Sequence, residues 1–321
     1  MPSKTSTTSG PPPDPASGKT NVQVGERRLV ITNLGKILYP ETGFTKGEVL
    51  DYYARVAPVL LPHLAGRPLT RKRYPNGVAG PFFFEKNAPR GTPDWVRTVN
   101  LPVPGSTMNR ETIDFVIVEE LAALIWTANL ASLELHVPQW KVGPRGGVQD
   151  ADLLVLDLDP GPPATIVECC EVALLLQEVM ESDGLRGYPK TSGSKGMQIY
   201  APLRPTPAAN TSAYAKSLAQ RLEKRRPDLV VSDMTKALRH GKVLVDWSQN
   251  AAAKTTVAPY SLRARPQPTV STPITWDEVA GCRSPEDLTF LPPDVIERID
   301  RDGDLLADLV SLEAGDRPAL P

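Results

Sequence analysis

The segment Leu153–Pro160, LLVLDLDP, constrains this chain more than any other stretch. Its leucines and valine mark a buried strand. Side chains alternate along a strand, so Asp157 and Asp159 share one face, with Cα atoms about 6.6 Å apart. Two carboxylates buried at the end of an apolar strand are costly unless something positive compensates. A divalent cation is the simplest solution. The plain alternative is two acids at an exposed strand end, because Asp-Pro often opens a turn. The same D-x-D spacing also occurs in glycosyltransferases and haloacid-type phosphatases.

Around this segment, strand and helix patterns alternate, which makes the class mixed α and β. Thr45-Lys-Gly-Glu48 is a capping box that opens a helix carrying Val49, Leu50, Tyr53, Val56 and Ala57. Thr275-Trp-Asp-Glu278 is a second one. Residues 119–132, 164–182, 211–225 and 293–310 read as helices, the last weakened in its middle by Gly303. Leu133 to Trp140, ending at Pro138, Leu229 to Ser232 and Val243 to Trp247 read as strands. Residues 1–21 are dominated by Pro, Ser, Thr and Gly and are expected to be a disordered tail. The catalytic body is expected over 22–312, with a short C-terminal tail over 313–321. Prolines number 34 in 321 residues, roughly twice the usual share of about 5%, so long uninterrupted helices should be few.

Lys and Arg total 36 against 37 Asp and Glu, which excludes a globally basic nucleic-acid coat but not a local basic groove. With only Cys169, Cys170 and Cys282 and no C-x-x-C, a four-cysteine zinc site within the chain is excluded. The adjacent pair falls in an apolar helical stretch and reads as core filler. This cysteine usage suits a reducing cytosol. No apolar run approaches the roughly 20 residues of a membrane helix, and the start lacks the apolar region of a secretory signal.

Further signals accompany Asp157 and Asp159. Lys190-Thr-Ser192-Gly-Ser194-Lys195-Gly196 could turn successive backbone N–H groups toward phosphate oxygens, with Lys195 as a point charge, or could be an ordinary polar hairpin turn. It is not a Walker loop, since its lysine precedes the last glycine. Asp246 ends the apolar run from Val243 and is either a third carboxylate of the set or a strand-end cap. His136, one of three histidines, closes the Leu133 strand. Residues 67–90 hold Arg67, Arg71, Lys72, Arg73, Lys86 and Arg90 against one acid, Glu85, with Phe82, Phe83 and Phe84 among them. Such a segment suits base stacking beside phosphate contacts, although at least one of these rings should be core. Three acids, a phosphate loop, a histidine and arginines together could hold two divalent ions, clamp a triphosphate and activate a 3′-hydroxyl.

The motifs RKRYPNG (71–77), FFFEKNAP (82–89), LELHVPQW (133–140), LVLDLDPG (154–161), KTSGSKGMQIY (190–200) and KVLVDWSQN (242–250) follow in this order. AAKTTVAPYSLRAR (252–265) and RIDRDGDLL (298–306) extend the series. Together they resemble the polymerase domain of bacterial ligase D, in the archaeo-eukaryotic primase superfamily, over roughly residues 25–310. The resemblance implies an α+β fold: an N-terminal α/β part and a catalytic sheet related to RNA-recognition motifs, with the active site in the cleft between them. It implies metal-dependent addition of nucleotides, ribonucleotides preferred, at DNA ends or short gaps, with manganese (or magnesium) in a two-metal site and a nucleoside triphosphate as substrate.

By that resemblance Asp157, Asp159 and Asp246 hold the metals. His136, Ser192, Lys195, Gly196 and Arg239 contact the triphosphate, and Lys72, Gln249 and Arg263 line the same nucleotide site. Asn33, Lys36 and Lys46 receive a DNA 5′-phosphate, and Phe83 and Phe84 stack on the template. The expected partner is gapped or broken DNA, with Ku and a separate DNA ligase, in a bacterial cytoplasm at the nucleoid. This family is usually fused to a ligase and a 3′-phosphoesterase. Here the match and a tail fill the 321 residues, so those activities are expected from separate proteins, unless the chain is a piece excised from a longer one. End joining and short-gap filling in excision repair share this chemistry. A non-catalytic DNA-end binding module and a metal-dependent sugar transferase are the competing classes. Three acids in one cleft would repel DNA without metals, and a sugar transferase leaves the phenylalanines among arginines unexplained.

Overall fold

A computed structural model describes residues 18–103 and 110–321. The chain opens with the hairpin β1 (Lys19–Val24) and β2 (Arg27–Thr32), then the short pair β3 (Ile37–Tyr39) and β4 (Phe44–Thr45). Helix α1 (Lys46–Leu64) starts where the sequence places it, with the Thr45 and Glu48 side chains capping each other's backbone N–H groups. Strands β5 (Thr70–Arg73) and β6 (Phe83–Glu85) follow, then the hairpin β7 (Thr98–Pro102) and β8 (Thr112–Val116), helix α2 (Leu121–Asn129) and strand β9 (Ser132–Val137). The second half holds β10 (Trp140–Val142), β11 (Val148–Pro160), α3 (Ile166–Ser182), β12 (Tyr188–Thr191), β13 (Met197–Thr206) and α4 (Ala208–Arg225). It continues through β14 (Val230–Val231), β15 (Val243–Asp246), β16 (Thr256–Val257), α5 (Trp276–Gly281), α6 (Pro292–Asp302) and α7 (Asp308–Ser311).

Two sheets organise the α+β fold. The larger runs β12-β13-β11-β15-β14, with β10 also paired to β11. All its pairs are antiparallel except β14 with β15. The smaller is antiparallel, β16-β9-β5-β6. Alternation along β11 divides the larger sheet. Leu154, Leu156 and Leu158 pack with α3, α4 and α5 in one core, while Leu153 and Val155 face the other way toward Tyr188, Tyr200 and Leu306. Asp157 and Asp159 lie on that second face. A separate core joins α1 and α2 to the smaller sheet.

Two expectations are corrected, on residues 19–21 and on Gly303. Residues 19–21 belong to β1, paired in register with Val30 to Thr32, because strand pairing satisfies a backbone that composition alone would leave in water; residues 1–17 lie outside the described part. The C-terminal segment is docked. Arg317 is buried and donates to the carbonyls of Asp152, Leu309 and Leu312, and Arg204 N donates to the Pro318 carbonyl. Gly303 ends α6 instead of weakening it, taking a left-handed φ of 70° at the cap, and α7 begins separately. Long helices do occur: α1 has 19 residues and runs through Pro58 and Pro62 because its buried face of Tyr52, Tyr53, Val56, Leu60 and Leu64 outweighs two lost hydrogen bonds.

The cysteines behave as read, all buried and free. Among the described residues no helix is long and apolar enough to cross a membrane.

Candidate active site

The three acids meet because of register. Asp157 lies directly opposite Asp246 on β15, and Asp159 is two residues further along the same face. One carboxylate oxygen from each lies within 4.8 Å of the others. Asp246 is buried and Asp157 partly so, while Asp159 is exposed. Strand β15 stops at Asp246, and the next turn returns three donors to it: Ser248 N (2.9 Å) and Ser248 Oγ (2.6 Å) on Oδ1, and Gln249 Nε2 (2.8 Å) on Oδ2. Gln249 therefore holds the Asp246 carboxylate here. Where the ladder ends, the Asn250 side chain takes over, accepting from Val155 N and donating to the Val155 carbonyl. Asp157 accepts one bond, from Gln198 Nε2 at 3.0 Å.

Burial and then repulsion from Asp159 push the Asp157 carboxyl up to about 7. Burial and Asp246 raise Asp159, while Arg239 and Arg263 oppose that. Three converging carboxylates with one oxygen each inside 4.8 Å fit a divalent cation by donor type and spacing.

The Ser192–Gly196 loop joins β12 to β13. Its Ser192 hydroxyl accepts the N–H groups of Ser194 (3.2 Å) and Gly196 (3.3 Å), so these two donors are turned inward. The glycines answer to close packing: a Cβ at Gly196 would stand 1.9 Å from the Leu158 carbonyl oxygen. Lys195 is exposed on this loop. At the end of β11, a Cβ at Gly161 would stand 1.8 Å from the Arg239 carbonyl oxygen, which presses the Arg239 turn against the acid strand.

On the smaller sheet the centre is Glu134, which the sequence reading does not single out. It is 2% exposed. Its carboxylate lies 2.9 Å from His136 Nε2, 3.4 Å from Lys72 Nζ and 3.5 Å from Arg263 Nε, and accepts Ala264 N at 3.1 Å. Burial alone would raise its pKa, but the His136 hydrogen bond, Arg263 and Lys72 hold it well below the usual carboxylate range. Burial pushes His136 down, against the hydrogen bond to Glu134, which raises it; a carboxylate can only accept, so the ring donates Nε2–H to Glu134. A clue does exist in the sequence: Glu134 and His136 are two apart on one strand, the alternation that pairs Asp157 with Asp159. Arg263 also donates to the Ser192 carbonyl, tying this group to the phosphate-loop candidate.

The three phenylalanines are all exposed, Phe82 at 51%, Phe83 at 44% and Phe84 at 58%, so none is core, contrary to expectation. Phe83 and Phe84 are successive residues of β6 and point to opposite faces. Phe84 sits edge-on to His136 and Phe82, while Phe82 lies over Lys72 and stacks on Tyr74. Phe83 instead covers Arg73, whose charge acts on Lys46.

Asn33, Lys36 and Lys46 do gather. Lys46 N donates to the Lys36 carbonyl and Gly47 N to that of Leu34. With Glu48 N on Thr45 Oγ1, the first N–H groups of α1 are occupied and offer no free anion site. What remains is side-chain charge. Lys46 Nζ donates to the Thr32 carbonyl (2.6 Å) and hydroxyl (2.9 Å), and burial, then Lys36 and Arg73, lower it to about 8.

A family model for the LigD primase-polymerase domain matches residues 45–306. The chain is 47% identical over 283 residues to the multifunctional non-homologous end joining protein LigD of Mycolicibacterium smegmatis, covering 88% of this chain and 36% of that protein. It is 32% identical over 278 residues to the bifunctional non-homologous end joining protein LigD of Bacillus subtilis, covering 86% of this chain and 43% of that one. It thus spans well under half the length of these relatives. Among solved structures, the polymerase domain from Mycobacterium tuberculosis ligase D in complex with DNA superposes with a TM-score of 0.82 at 44% identity, covering 91% of this chain and all of that one.

Proposed function

The chain belongs to the LigD primase-polymerase family, and from that membership we propose that it is a metal-dependent nucleotidyltransferase that extends DNA 3′ ends at breaks or short gaps during non-homologous end joining. The observation that carries the reading is the convergence of Asp157, Asp159 and Asp246 within 4.8 Å on one strand register. Those residues would hold divalent ions, manganese preferred over magnesium, whose chemistry is to neutralise a triphosphate and lower the pKa of an attacking 3′-hydroxyl. The attack joins that oxygen to the α-phosphorus and releases pyrophosphate.

The protein's part is orientation and charge. Arg239 and Arg263 lie near enough to Asp159 to oppose the rise in its pKa, and Arg239 carries a buried Nε without a hydrogen-bond partner, while the Arg263 Nε faces Glu134 at 3.5 Å. Such donors suit incoming phosphate oxygens. Lys195 and Ser192 flank them on the hairpin loop, and Lys72 and His136 reach the same nucleotide from the smaller sheet. For His136, phosphate contact implies a second proton on its ring, since Nε2–H is committed to Glu134. The Lys36, Lys46 and Arg73 charges crowd together enough to depress Lys46, a repulsion that a DNA 5′-phosphate would relieve. Phe84 serves the nucleotide side of β6 and Phe83 the 5′-phosphate side. Ribonucleotides are the preferred substrates, and Ku and a DNA ligase are the working partners at the nucleoid.

The test is primer extension on gapped duplexes and on unligated overhanging ends, with Mn2+ or Mg2+, matched ribo- and deoxyribonucleotides, and with and without Ku. Metal-dependent extension with faster ribonucleotide incorporation supports the reading. Absence of metal-dependent incorporation on every substrate overturns it.

A further inference from the structure

Asp157 is the metal-site acid with a single hydrogen-bond donor, and that donor is the end of a chain. Gln139 Nε2 donates to Thr256 Oγ1 at 2.9 Å. Thr256 Oγ1 and Tyr200 Oη are 2.6 Å apart. Tyr200 Oη donates to Gln198 Oε1 at 3.3 Å, and Gln198 Nε2 donates to Asp157 Oδ1 at 3.0 Å. The four side chains are between 2% and 4% exposed, so water does not compete for these groups.

One direction satisfies every group in the chain. A tyrosine hydroxyl has one hydrogen. With that hydrogen on Gln198, Tyr200 accepts from Thr256, which in turn accepts from Gln139. With Asp157 ionised, as cation binding requires, reversing the Gln198 amide would set its oxygen 3.0 Å from a carboxylate oxygen, acceptor against acceptor. The chain therefore holds the N–H end of Gln198 toward Asp157. It engages Oδ1 and restrains the rotation of the carboxylate, leaving Oδ2 with no protein donor among the described residues. It also runs between the sheets: Thr256 lies on β16 of the smaller one, Gln198 and Tyr200 on β13 of the larger.

We propose that Gln198, locked by the Tyr200–Thr256–Gln139 relay, is the positioning residue that orients Asp157 for its divalent cation. This rests on the metal-site reading above. Groups behind a metal ligand commonly change metal affinity by about 10–100-fold when removed, because an unfixed ligand must be ordered on binding.

The experiment titrates the full chain with Mn2+ alone, following free Mn2+ by electron paramagnetic resonance, and records the melting temperature of each metal-free variant. Tyr200→Phe keeps the ring and loses the hydroxyl, and should weaken Mn2+ binding about tenfold. Thr256→Val, of the same shape, should weaken it several-fold from two steps away, whereas Thr256→Ser, which keeps the hydroxyl, should retain the wild-type affinity. Should Tyr200→Phe fold poorly, the Thr256 pair carries the test. A purely structural role would lower the melting temperature and leave the Mn2+ affinity of the folded protein unchanged in Tyr200→Phe and Thr256→Val, and that result overturns the proposal. Equal losses in Thr256→Val and Thr256→Ser also overturn it. Asp159→Ala separates the two readings. If wild type binds Mn2+ and Asp159→Ala does not, the metal site stands and only the relay is on trial. If wild type takes up no Mn2+, both fall.

Discussion

The pH dependence of stability offers a direct measure of the charge stored at Asp157. Burial first, and then repulsion from Asp159, carry this carboxyl from 3.8 up to about 7 in the folded chain. A group that holds its proton more tightly when folded stabilises the fold most at low pH. That contribution is fully present below the unfolded value near 4 and is lost as pH rises through about 7. Between pH 5 and pH 8 the two pKa values correspond to about 2–3 kcal/mol of lost stability in metal-free protein. Asp157→Asn removes the charge and keeps the shape, so its stability should not carry this slope. Urea unfolding of both proteins in a chelator, at several pH values from 5 to 8, isolates by difference the titration of Asp157 and of the acids that interact with it, because groups away from the site cancel. The variant should gain about 2–3 kcal/mol on wild type across that range. Mn2+ added at pH 8 should raise the stability of wild type far more than that of the variant. Parallel stability curves, or a variant that loses ground as pH rises, would refute the charge-repulsion account of the site.

Asp159→Ala should abolish nucleotide addition while DNA-end binding measured by anisotropy stays near wild type; retention of more than a few per cent of the rate counts against the metal assignment. Glu134→Gln takes the ionised partner from Lys72, His136 and Arg263 and should cost about 3–5 kcal/mol of stability by chemical denaturation, with nucleotide KM rising in steady-state assays. The Lys36→Ala/Lys46→Ala double variant should bind a 5′-phosphorylated gap more than about tenfold less tightly, with little change on the unphosphorylated gap. For wild type, the preference for the phosphate should decline from pH 7 to 9 as Lys46, near 8, gives up its proton; a flat preference would remove Lys46 from the pocket.

Whether a feature of this protein is legible in its sequence depends on the range of the forces behind it. Period-two alternation is a local property, so the shared face of Asp157 and Asp159 is readable from the single stretch Leu153–Pro160. Capping boxes are equally local, and those at Thr45 and Thr275 open helices as expected. Asp246 can be suspected but not placed from its own segment, because its position opposite Asp157 depends on the register of two strands far apart in the chain. Glu134 escapes notice because an isolated acid in a strand carries no sign of its partners; Lys72 and Arg263 arrive from elements far away in sequence. The phenylalanine run misleads for a different reason. Aromatic composition suggests burial, yet β6 is an edge strand, and its rings stay in solvent against Lys72 and Arg73. The start of the chain misleads likewise. Composition reports what a segment could do alone, and it takes no account of β2, which pairs with the first strand.

Arg263 shows why the site needs both sheets at once. Its Nε faces Glu134 on the smaller sheet, and its NH1 donates to the Ser192 carbonyl on the hairpin of the larger one. A Cβ at Gly193 would stand 2.6 Å from the Val270 carbonyl and 2.8 Å from the Arg263 Cγ, so the loop passes here as glycine, at a left-handed φ of 66°. A lysine in place of Arg263 could answer one of these contacts, but its single ammonium lacks the planar fork that meets both. Register within the larger sheet sets the acids of β11 and β15, and Arg263 ties the cations around Glu134 to the hairpin loop beside them. The distance between acids and cations is therefore a property of the packed fold, and neither sheet could hold it alone.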